Sequence, residues 1–127
     1  VRLSIEACIK NLISSGVSGD GAMEFEIGSG FVQSLHAWGA DSRHDYAMVT
    51  IESCARIVLG IPKNDIVEFR ESAKATAKQR SRTEDGALAF RTHLTKKGVG
   101  LRLMFWRRTD GTIEFANIGA KGELEIL

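Results

Sequence analysis

Two cysteines in 127 residues are too few for a disulfide framework. Neither Cys8 nor Cys54 belongs to a Cys-x-x-Cys pair or has histidines at metal-ligand spacing. Both lie in apolar, helix-like stretches, which points to buried free thiols in a reducing compartment and hence to the cytoplasm. No apolar run approaches the ~18 residues that a membrane span needs, and no signal peptide is visible, so no membrane partner is expected. Repeats, low-complexity tracts and dividing linkers are also absent. Gly16, Gly19 and Gly21 follow no strand and precede no Lys-Ser/Thr pair, which makes them a loop and not a nucleotide fingerprint.

What is present is ordinary in bulk. Apolar residues make up 43% and charged residues 26%, usage that excludes disorder and fits one domain over residues 1–127. The formal net charge of +1 conceals a segregation. Residues 1–73 balance at −4, residues 74–108 at +8, and residues 109–127 at −3. Such clustering attracts polyanions that the net charge alone would not suggest. A solvated basic face without a partner is the plainer alternative.

Hydrophobic spacing predicts a helix over 3–14, with Leu3, Ile5, Cys8, Ile9, Leu12 and Ile13 along its stripe. Met23, Phe25 and Ile27 alternate as a short strand, ended by Gly28-Ser29-Gly30. Phe31, Val32, Leu35 and Trp38 suit a short helix stopped at Gly39. A second long helix is expected over 43–59, capped by Asp41 and ended by Gly60 and Pro62. A third would open at Asn64, with Asp65 and Glu68 in its first turn, and run to Arg80.

From there the period changes to two. Leu88, Phe90, Thr92 and Leu94 alternate with Ala89, Arg91, His93 and Thr95, which favours a strand over the alternative of a helix across 84–95 with a thinner apolar stripe. Val99–Arg107 is the clearest strand. Lys96-Lys97-Gly98 and Thr109-Asp110-Gly111 are turns, Thr112–Ile118 returns, and Leu124–Leu127 would add a short edge strand. The expected fold is α+β. N-terminal helices, with mixed structure over 1–82, pack on a three- to four-stranded antiparallel meander over 83–127.

If the apolar rows face the helices, Arg91, His93, Arg102 and Trp106 share the other face. Cations there would meet phosphates, and the Trp106 ring would either stack on a base or pack against a helix. RNA cleavage through the 2′-hydroxyl needs a base, an acid and cations around phosphorus. His93 suits the acid or base role, Arg91 and Arg102 suit the phosphate, and Glu114 is a candidate second titrating group whose facing is open. Ordinary solvent-facing strand residues would look the same. His36 and His44 read as surface or helix-end residues.

The stretch Phe90-Arg91-Thr92-His93-Leu94-Thr95-Lys96-Lys97-Gly98, followed by Leu101-Arg102-Leu103-Met104-Phe105, resembles the central strands of RelE/ParE-type bacterial toxins. The likeness continues through Thr109-Asp110-Gly111, Ile113-Glu114-Phe115 and Gly119–Glu123, about 40 residues in all. It implies a small antiparallel sheet with helices on one side and, in RNA-cleaving members, cutting of ribosome-bound mRNA without metal or other cofactor. By that resemblance Arg91, His93 and Arg102 are catalytic, and Lys121 lies near a further basic position. The chain departs from the family in carrying Gly122 after Lys121, in lacking a C-terminal Tyr, and in its long N-terminal part. Some relatives poison gyrase instead.

Three functions remain open. The first is a ribonuclease toxin in which Lys96, Lys97, Arg107 and Arg108 steer RNA and an acidic antitoxin or immunity protein covers the site. The second is a nucleic-acid-binding domain using the same patch. The third is a phage or plasmid protein-interaction module.

Overall fold

The computed structural model describes residues 1–17, 23–39, 44–72, 74, 76–95, 100–120, 122–123 and 125–127, without the side chains of residues 44 and 45. Among these residues three helices, α1 (Arg2–Ser14), α2 (Phe31–Ala37) and α3 (His44–Val58), accompany five strands. The strands are β1 (Phe25–Ile27), β2 (Ile66–Glu68), β3 (Leu88–His93), β4 (Arg102–Arg107) and β5 (Ile113–Gly119). They form one sheet in the order β1-β5-β4-β3-β2. The class is α+β, as expected, and β3, β4 and β5 are the antiparallel meander. The sheet is nevertheless mixed and larger than three or four strands, because β1 pairs in parallel with β5 and β2 adds to the opposite edge.

Alternation explains how the meander is oriented. Leu103, Phe105, Ile113, Phe115 and Ile118 face the helices and join Ile5, Phe31, Leu35, Cys54 and Val58 in the main core. A β-bulge between Met104 and Phe105 of β4 leaves Ala116 without a counterpart, so β5 changes parity and Ile118 still reaches that core. Gly60 ends α3 at φ 76°, where a left-handed residue lets Ile61 N–H donate to the Arg56 carbonyl at 3.0 Å. Cys54 is fully buried and Cys8 partly so, both are free, and burial pushes both thiols up.

The expected third helix does not form. Residues 71–80 carry no large apolar stripe, so a helix there has nothing to bury. The β-branched Ile66 and Val67 instead pair with Thr92 and Arg91. Two contacts fix this segment to the sheet: Asn64 Nδ2 donates to the His93 carbonyl at 2.9 Å, and the Thr92 hydroxyl donates to the Asp65 carbonyl at 2.9 Å. The chain then makes a hairpin-like excursion closed by the Arg70–Gln79 bridge, and Ser81 bridges Leu88. Of the expected strand at 124–127, the described residues 125–127 form no strand. Glu125 and Leu127 are held by the Asn117 side chain, which donates to one backbone carbonyl at 3.2 Å and accepts from the other N–H at 3.1 Å.

The expected Lys96–Gly98 turn and the Asp41 cap lie outside the described residues. At the other hairpin Gly111 adopts φ 92°, and Asp110 Oδ1 accepts from Thr112 N–H at 2.9 Å. No helix among the described residues is long and apolar enough to cross a membrane.

Candidate functional site

Strand register places the sequence-selected residues in cross-strand rows on the face away from the helices. His93 stands opposite Arg102, which stands opposite Gly119. The next row is Val67, Arg91, Met104 and Asn117. The third is Ala89, Trp106 and Glu114. This face is not free along its whole length. Met104, Trp106 and Ala116 are buried in a second apolar cluster with Phe69, Ala87 and Ala89, against which Ile126 packs.

Trp106 is therefore not a stacking platform. It is 6% exposed, its indole N–H donates to the Leu127 carbonyl at 3.0 Å, and the Arg82 guanidinium covers its ring at 5.0 Å. Arg107 alternates to the helix side of the sheet. There its guanidinium lies over Phe90 at 5.2 Å, beside an open depression that Met23, Ile57 and Pro62 also line. Arg108 is consumed by Glu114, with Nη2 to Oε1 at 2.7 Å. These three residues do not join the site. Lys96, Lys97 and Lys121 lie outside the described residues.

Glu114 is not available for proton transfer either. Arg82 meets both of its oxygens, at 2.9 and 3.1 Å, and also holds Asp85 through two contacts of 3.0 and 2.7 Å. Hydrogen bonds from Arg82, joined by those from Arg108, keep the Glu114 carboxyl below its ordinary range despite burial that opposes them. The hydrogen bonds from Arg82, helped by the Ala87 N–H, bring Asp85 down to about 2.

Arg91, His93 and Arg102 do come together. With Asp65, Val67 and Thr92 they line one open depression of about 290 Å³ at the unsealed end of the face. Nε of Arg91 and Nε of Arg102 are buried with no hydrogen-bond partner. Among the described residues neither guanidinium forms an ion pair. Burial, and then the nearby Arg102 charge, lower the pKa of Arg91, which still carries its charge at neutral pH. Two guanidiniums that form no ion pair among the described residues, beside an imidazole, are suited to an anion with several oxygens, such as a phosphodiester.

Asp65 is the site residue that sequence reading missed. The sequence pattern sets it in the first turn of a helix, whereas its segment is the rim of the depression. The adjacent β-branched pair Ile66-Val67 was the available signal. Among the described residues no three His, Cys, Asp or Glu side chains group so as to hold a metal ion. Compared with known proteins, the chain matches no family model, and no curated protein or solved structure is significantly similar to it.

Proposed function

We propose that the chain is a metal-independent endoribonuclease domain that acts on RNA in the Arg91–His93–Arg102 depression. The observation that carries this reading is the convergence of two arginines without carboxylate partners among the described residues, one histidine and one aspartate around a single opening. In the reaction the 2′-oxygen attacks phosphorus, the P–O5′ bond breaks, and the products are a 2′,3′-cyclic phosphate and a 5′-hydroxyl. Asp65 takes the 2′-hydroxyl proton, and His93 gives a proton to the departing 5′-oxygen. Arg91 and Arg102 hold the non-bridging oxygens as charge grows on them. The resemblance to RelE-type toxins extends the proposal to ribosome-bound mRNA as substrate and an acidic antitoxin or immunity protein as partner.

The test is incubation of labelled RNA with the purified protein in a chelator, with and without ribosomes, followed by end-group analysis. Wild type should leave cyclic phosphate ends. His93→Ala should be slower by about 10²- to 10⁴-fold with RNA affinity nearly intact. Equal cleavage by His93→Ala and wild type would overturn the assignment.

A second reading, binding of RNA without cleavage, is favoured by the ion-paired state of Glu114, which removes one of the two proton-transfer groups that the sequence offered. It predicts no cleavage by either protein and an affinity that falls steeply with salt.

A further inference from the structure

Three arginines of this face share an uncommon feature. Nε of Arg80, like Nε of Arg91 and Arg102, is buried without a hydrogen-bond partner. Arg80 precedes β3 by eight residues, and its backbone is clamped on both sides. Its N–H donates to the Phe69 carbonyl at 2.8 Å, and its carbonyl accepts from Ala89 N–H at 3.0 Å. The clamp delivers the Arg80 guanidinium to the ring of Phe69 at 5.3 Å, and Arg91 reaches the same ring at 5.6 Å. Phe69 is only 1% exposed beneath them.

The nearby acids do not neutralise this pair. Glu68 is engaged by Arg70 at 3.2 Å, and Glu71 offers Arg80 only its backbone carbonyl, at 3.4 Å. Among the described residues Arg80 forms no ion pair. Two cations held against one ring, neither of them ion-paired among the described residues, leave their charges for an anion that reaches both. Arg91 also borders Arg102 in the depression, so Arg91 is shared between the Phe69 ring, which it meets with Arg80, and the depression, which it lines with Arg102.

We infer that Arg80 and Arg91, over Phe69, form a second phosphate subsite beside that of Arg91 and Arg102, so that the face holds an RNA strand through at least two consecutive phosphates. The inference rests on the RNA reading proposed above and deepens it. The ligand class becomes an oligonucleotide, not a mononucleotide. The register of the strand is set by the positions of the cations, since Phe69 beneath two of them is covered.

Binding of three uncleavable 2′-O-methyl probes tests this: a uridine 3′-monophosphate, a uridine dinucleotide with two phosphates, and a hexauridylate, each titrated over a range of salt. On wild type the dinucleotide should bind about tenfold tighter than the monophosphate. Arg80→Gln should weaken the hexamer about tenfold, reduce the slope of log K against log salt by about 0.7, and leave the monophosphate within twofold. Arg102→Gln should weaken every probe. Arg80→Met, which keeps the stem on Phe69, stands in if Arg80→Gln does not fold. Equal wild-type affinity for one and two phosphates overturns the second subsite, as does an Arg80 variant that binds the hexamer like wild type. In either case a weakened Arg102→Gln leaves the first reading standing. A wild type that binds no probe, or an Arg102→Gln variant that binds all of them normally, overturns both.

Discussion

Two ends of one sheet face carry the same residue type in opposite conditions. At the end near the β4–β5 turn, Arg82 and Arg108 converge on Glu114, and Arg82 also lies over the buried Trp106. At the other end, Arg91 and Arg102 line a depression in which each has a buried, unpartnered Nε. An arginine that finds a carboxylate within the fold becomes part of the packing, because its charge is neutralised and its donors are used. One that does not is left to meet an anion from outside. The difference lies in the pairing, since each end holds two arginines and an acid, yet only Glu114 forms ion pairs with them among the described residues.

The comparison can be broken most severely at Glu114. Its replacement by Gln leaves Arg82 and Arg108 without their shared charge in a half-buried setting, and should cost about 2–4 kcal/mol in urea denaturation. The mirror change, Arg102→Ala, should leave the urea midpoint unchanged or slightly higher, because it relieves like-charge crowding. RNA affinity should fall at least tenfold in the same preparation. A variant that lost stability and kept affinity would reverse the assignment of the two ends.

Acid separates the ends next. Glu114 and Asp85 titrate below their ordinary ranges in the folded chain, so their contribution is present above those ranges and is lost as pH falls through the folded values. The urea midpoint should therefore drop between about pH 5 and pH 2, and Asp85→Asn/Glu114→Gln should lose that part of the dependence. The arginines of the depression add nothing to it. The smallest effect is expected at the rim. Thr92→Val removes the hydroxyl that holds the Asp65 carbonyl and should cost about 1 kcal/mol. Cleavage should slow more than RNA binding weakens, because Asp65 is the group displaced.

Much of the sheet could be read without the structure. Six or seven residues in a row give period-two alternation enough repeats to be seen, which is why β3, β4 and β5 were legible, as was the facing of β3 and β4. The facing of β5 stayed open because a bulge shifts its parity. A three-residue strand gives too few repeats. β2 was hidden because Asn64, Asp65 and Glu68 imitate the start of a helix, while its strand conformation comes from register with β3. The parallel pairing of β1 with β5 joins residues far apart in the chain, and local pattern carries no trace of it. The site divided in the same way. Arg91, His93 and Arg102 followed from alternation on two neighbouring strands. The burial of Trp106 depended on Arg82 and Leu127 arriving from elsewhere.

The sequence by itself determined an α+β chain with a concentrated basic region and a row of cations alternating away from the core, since alternation and charge are local properties. Only the tertiary structure decided which of those cations are neutralised. Arg82 meets Glu114 across 32 positions of chain, and Arg80 meets Phe69 through a backbone clamp. Charge pairing falls off with distance in space, and separation along the sequence does not measure that distance.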